Sequence, residues 1–269
     1  MKTRSRRIGC LLLLLPPALF AAWVAKGGWR GLLEVAAGVS EGRIGAAAAR
    51  VVRPLELLHD TPEFTPQPPG SEAGARILAR LERIEANTRS RRYQHATDVN
   101  ERRGRYLWDC SGMVGWVLRR EAPRARAALG ERRPVARRVA RTIARAPTAQ
   151  PRRGWQQIER LEDVRPGDVF AWERPVGLRS RNTGHTGFVL GTARLSDRLW
   201  AVRITDSTSY PHQDDTRGMN DGGGLGRGTL VFPVDAEGRG TGYRWHGTDS
   251  LGTLVTPIRF GRIHARQRL

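Results

Sequence analysis

The chain has 269 residues and a formal net charge of +20, with Lys2 and Lys26 the only lysines among its 46 basic residues. At 39% hydrophobic residues it can bury a sizeable core, which excludes a disordered chain. The arginine excess fits either a solvated basic surface or attraction to an anionic polymer or membrane. Cys10 and Cys110 are its two cysteines, too few for a disulfide framework or a multi-cysteine zinc site.

In chain order, Met1 to Arg7 is basic (Lys2, Arg4, Arg6, Arg7) and leads into an apolar run from Ile8 to Ala25. This pattern predicts a secretory signal over residues 1–25. The run is at the lower limit for spanning a bilayer, so an uncleaved signal-anchor in the inner membrane is the alternative. Either form places the rest of the chain in the periplasm or cell envelope. Residues 26–70 read as a linker rich in Ala, Gly and Pro. Its last part, His59 to Gly70, should be extended because of its prolines. Residues 71–269 form the expected catalytic domain.

Ser71 caps a predicted helix in which Ile77, Leu78, Leu81, Ile84 and Ala86 recur at helical spacing. His95 to Arg105 is polar and reads as loop. A second helix opens at Cys110 and stops before Pro123. From Arg124 to Ala146, arginine and alanine intermingle with Leu129, Val135, Val139 and Ile143, which predicts one or two basic helices. That segment lacks aromatic residues for base stacking, so nucleic acid is not expected as a partner. The second half changes to short β-rich runs: Asp168–Trp172, His185–Leu190 and Trp200–Asp206. Further runs follow at Thr229–Phe232, Gly242–Trp245 and Leu254–Phe260. Helices first and strands second predict an α+β domain with an antiparallel sheet. The glycine-rich stretch from Gly222 to Gly228 has no βαβ unit around it and reads as a flexible hairpin connection rather than a nucleotide loop.

Cys110 is placed where a nucleophile would be. At the first turn of a helix a thiol faces unpaired N–H groups and the positive end of the dipole, so its thiolate is favoured. A histidine within reach would take the proton. Asp109-Cys110-Ser111-Gly112-Met113-Val114 resembles the Asp-Cys-Ser-Gly-Phe-Val signature of the NlpC/P60 papain-like cysteine peptidases. Arg165-Pro166-Gly167-Asp168-Val169 resembles that family's strand-opening turn, and Gly184-His185-Thr186-Gly187-Phe188-Val189 its histidine strand.

The resemblance covers about residues 90–210 and implies a papain-like fold, with the nucleophile helix packed on the sheet. It implies cleavage of amide bonds in peptidoglycan stem peptides, without a cofactor, by Cys110 as nucleophile and His185 as base. Asp206, ending the next strand, is the candidate third member; many family members carry His, Asn or Gln there, and a strand-end turn residue is the structural alternative. Tyr93 matches a tyrosine upstream of the cysteine, but Gln94-His95 stands where the family has Gly-Gly.

Tyr93, His95, Asp109 and Ser111 are the candidate substrate-binding residues on the cysteine side, with Asp109 also expected to cap the helix. Asp215 and Arg217 are the candidates on the loop after Asp206. His212, Asp214 and Asp215 could be read as metal ligands, but no HExxH-like pair supports that, and no metal is expected. Peptidoglycan or another anionic envelope polymer is the expected partner. An acyltransferase on the same fold, or an inactive envelope-binding module, are the alternatives.

Overall fold

A computed structural model describes residues 62–265; the predicted signal or anchor and most of the linker lie outside the described residues. Helix α1 (Glu72–Asn87) starts at Ser71, whose side chain accepts the Gly74 N–H at 2.9 Å. It buries Ala73, Ile77, Leu81 and Ile84, while Ala86 is exposed. Helix α2 (Cys110–Glu121) is followed by the short α3 (Pro123–Ala128) and by α4 (Ala136–Ala144), which divide the arginine-rich segment between them.

The stretch expected to be loop, His95 to Arg105, instead contributes to a small sheet. Strands β1 (Ser90–Tyr93) and β2 (Asp98–Asn100) flank β3 (Arg105–Trp108), parallel and antiparallel respectively. Tyr106 and Trp108 on β3 are buried and anchor this polar ribbon to the core, a tertiary contact that outweighs local composition.

The main sheet has six antiparallel strands in the order β4–β11–β5–β6–β7–β8. These are β4 (Trp155–Ile158), β5 (Val169–Glu173), β6 (Gly184–Ser196), β7 (Leu199–Thr208), β8 (Gly224–Pro233) and β11 (Arg259–Ile263). A two-stranded ribbon, β9 (Gly242–Tyr243) with β10 (Leu254–Val255), completes the β-structure. The α+β class with an antiparallel sheet therefore holds.

Alternation along the strands supplies both faces of the sheet. Val169, Ala171 and Phe188 pack with the helices, where Met113, Val117, Val139 and Ile143 are fully buried. Phe170, Trp172, Val189, Ile204 and Phe232 form the other layer, under Leu161, Val164, Tyr243 and Ile258. Each Val, Leu, Ile, Phe or Met among them contributes about 1.5–3 kcal/mol by leaving water. Residues 62–70 run without regular structure; Phe64 packs against Leu199, Ala201 and Val231, so this part of the proline-rich stretch lies on the domain.

The glycine-rich stretch is a connection only at Gly222 and Gly223. Gly224 to Gly228 form the first half of β8, in register with Thr208 to Ile204. The reason is space. A Cβ on Gly226 would come within 2.5 Å of the Arg217 side chain, and one on Gly228 within 2.7 Å of His212. The glycines let the 209–223 loop fold back onto the strand.

Candidate functional site

Cys110 is the first residue of α2, with Asp109 as its N-cap. Asp109 Oδ1 accepts the Gly112 N–H at 2.7 Å and the Ser111 hydroxyl at 3.0 Å. Its Oδ2 faces His95 Nδ1 at 3.2 Å and Arg133 Nη2 at 3.1 Å. This carboxylate and Ser111 are buried in holding the helix start, whereas the His95 side chain is largely exposed. Tyr93 meets His95 edge to face, with ring centroids 5.8 Å apart. Burial, then the proximity of Cys110, Asp109 and Asp206, pushes the Tyr93 phenol up against the opposing charge of Arg133.

His185 is the second residue of β6. Gly184 before it has φ of +137°, and a Cβ there would lie 1.9 Å from the Trp172 carbonyl oxygen, so the turn into the histidine strand requires glycine. The imidazole packs among Trp172, Phe170 and Trp245, at centroid distances of 5.2, 6.0 and 5.0 Å. Its Nε2 lies 2.5 Å from Asp206 Oδ2. Nδ1 takes no hydrogen bond among the described residues. The backbone N–H groups of Thr186 and Ser111 lie against the Cys110 sulfur, so the thiol sits beside the residue that follows His185. No hydrogen bond joins the sulfur to the imidazole among the described residues.

Asp206 is fully buried and holds more than one imidazole. His212 Nε2 reaches the same Oδ2 at 2.8 Å, while His212 Nδ1 faces the Trp245 carbonyl at 3.1 Å. Both ring nitrogens of His212 thus face acceptors. On the other side, Arg217 Nη1 is 2.7 Å from Asp206 Oδ1. Nη1 donates to the Gly224 carbonyl at 2.9 Å, and Oδ1 receives no aligned hydrogen bond, so this contact is an ion pair. Asp215 grips the rest of the guanidinium, with Nε 2.8 Å from Oδ1 and Nη2 2.7 Å from Oδ2. Asp215 and Arg217, expected to line a cleft, are placed as buried braces behind Asp206.

The electrostatics follow from this enclosure. Burial alone would raise the Asp206 carboxyl, but Arg217, His212 and the imidazole hydrogen bonds hold it well below the ordinary carboxylate range. Burial lowers the His185 imidazole, outweighing the opposing pull of Asp206. Burial, then the charges of Asp109 and Asp206, pushes the Cys110 thiol up, and the two backbone N–H groups only partly offset them. The expected thiolate is therefore not the resting form. A helix terminus favours an anion, but desolvation in a closed site costs more.

His185, Asp206 and His212 bring three ligand-type atoms within 4.8 Å of one another, a grouping that could hold a metal ion. Their spacing argues for direct hydrogen bonds instead. Ligands on a tetrahedral ion at ~2.1 Å would stand roughly 3.4 Å apart, whereas the Nε2–Oδ2 separations are 2.5 and 2.8 Å. Asp214, the remaining member of the sequence cluster, is exposed and outside this group.

A cavity of about 510 Å³ lies elsewhere, between α1, Pro66-Gln67 and the sheet, and none of Cys110, His185 or Asp206 lines it. The involvement of His212 and Arg217 with Asp206 was not readable from spacing; the signal available was their position on the loop directly after it. Comparison with protein-family models, curated proteins and solved structures finds no match to this chain.

Proposed function

We propose that the chain is an exported thiol hydrolase that cleaves amide bonds through Cys110, His185 and Asp206, with peptidoglycan stem peptides as its substrate class. The observation that carries the reading is Asp206 binding the Nε2 side of His185, which leaves Nδ1 available, beside a thiol at a helix start. Asp206 would orient the ring and stabilise its charged form. Because the resting thiol is protonated, the proton would pass from Cys110 Sγ to His185 as the sulfur attacks the carbonyl carbon. The Cys110 N–H, in the first turn where no intrahelical acceptor exists, would receive the developing oxyanion. The protonated imidazole then gives its proton to the leaving amine, and water, deprotonated by the same ring, releases the acyl group.

The burial of Cys110, with only 6% of its surface exposed, favours a second reading, an envelope-binding module that keeps the fold without turnover. Incubation of the full chain and of Cys110→Ala with peptidoglycan sacculi, followed by mass spectrometry of soluble products, separates the two. New muropeptides from wild type alone support the hydrolase. Binding to sacculi with no products from either protein refutes it.

A further inference from the structure

The large apolar side chains left exposed on the described chain are Val176, Tyr210, Leu251, Leu254 and Val255, with Val176 at 91% and Val255 at 59%. Their placement is one-sided. Val176 lies on the β5–β6 connection, Tyr210 on the β7–β8 connection and the other three on the stretch between β9 and β11. The first two connections leave the same end of the sheet, where β5 stops at Glu173, β6 starts at Gly184, β7 stops at Thr208 and β8 starts at Gly224. The third is tied to that end by the Thr256 hydroxyl, which donates to the Glu173 carbonyl at 3.0 Å. At the opposite end the turns carry charges of both signs, Asp197-Arg198 and Asp235 to Arg239, and no exposed large apolar side chain.

Charge at this end is segregated: exposed Asp214 and Asp221 lie on the β7–β8 connection and Asp249 before β10, apart from the β5–β6 connection. The β5–β6 connection, residues 174–183, holds exposed Arg174, Arg179 and Arg181 and no acidic residue. Residues 250–258 hold no charge at all. Exposed aliphatic tips beside an arginine-rich connection match the two layers of an anionic bilayer surface, acyl boundary and phosphate. The same chain carries the basic N-terminus and the apolar run Ile8 to Ala25.

We propose that this end of the domain docks on an anionic lipid bilayer, with Val176, Leu254 and Val255 entering the headgroup–acyl boundary and Arg174, Arg179 and Arg181 meeting lipid phosphates. The docking does not depend on the proposed hydrolase activity.

The test uses the full chain with Cys10→Ser and Cys110→Ala, so that one new cysteine can carry an environment-sensitive fluorophore. Leu254→Cys and, separately, Val176→Cys report on the docking face; Asp197→Cys reports on the opposite end. Each labelled chain is bound to phosphatidylcholine vesicles with or without phosphatidylglycerol and recovered by flotation. The proposal expects emission from positions 254 and 176 to move to shorter wavelength on anionic vesicles while position 197 stays water-like. Replacing Arg174, Arg179 and Arg181 by Gln should reduce the shift. Positions 254 and 176 remaining as water-exposed as 197 on bound chains, or shifting equally on neutral vesicles, overturns the proposal.

Discussion

Arg217→Gln isolates the device that keeps Asp206 charged in the interior. The Arg217 side chain is 1% exposed, and its partners Asp206 and Asp215 are 0% and 2% exposed at the side chain. Removing the guanidinium leaves two carboxylates buried together without their shared cation. Breaking a buried pair in this way costs about 3–5 kcal/mol, which for a domain of this size lowers the melting temperature by about 6–20 °C. Arg194→Gln is the matched control: its 2.7 Å pair with Asp197 is open to water, at 57% and 92% exposure, and such pairs are worth about 0–1 kcal/mol. Thermal unfolding followed by circular dichroism at neutral pH compares the two. Adding Asp215→Asn to Arg217→Gln removes one stranded charge and should recover about 0.5–3 kcal/mol, the range found for directly coupled residues. A melting temperature for Arg217→Gln no lower than that of Arg194→Gln would refute the reasoning, since the guanidinium would then not be stabilising a desolvated carboxylate.

The remaining predictions concern the same site. Cys110 should react with iodoacetamide more slowly than an unstructured cysteine peptide at neutral pH, because burial and the two carboxylates disfavour its thiolate; rapid labelling in mildly acid buffer would contradict this. His185 is held neutral, so below its ordinary value of 6.5 the unfolded chain takes up that proton first and stability falls with pH. Denaturant titrations of His185→Gln should therefore show a shallower decline than wild type between pH 6.5 and 3.8. The Asp206 contribution has the other window: present in full above 3.8, and lost only as pH falls through its lower folded value. Asp109→Ala removes the α2 cap and should cost about 1 kcal/mol in chemical denaturation, while Asp109→Asn, also a capping residue, should cost much less. Since the His185–Asp206–His212 spacing is that of direct hydrogen bonds, a strong chelator should leave the unfolding curve unchanged; a marked loss of stability would reopen the metal reading.

Elements whose information is local were legible from the residues in order. The periodicity of Ile77, Leu81 and Ile84 and the capping Ser71 mark α1, and Asp109 followed by an apolar run marks α2. The alternating runs around Phe170, His185 and Ile204 mark β5, β6 and β7. The order of Cys110, His185 and Asp206 along those elements was readable too, including the pairing of the last two across neighbouring strands. Other features depended on contacts distant in sequence. Gly224 to Gly228 looks like a loop until Arg217 and His212 fold over it, and β4 is recognisable only through its register with β11 at the far end of the chain. The polar segment around Asp98 becomes a strand because Tyr106 and Trp108 anchor its neighbour. The charge state of the site was also decided in three dimensions. A helix start promises a thiolate from sequence alone, but the balance between that dipole and desolvation depends on how completely the folded chain buries Cys110.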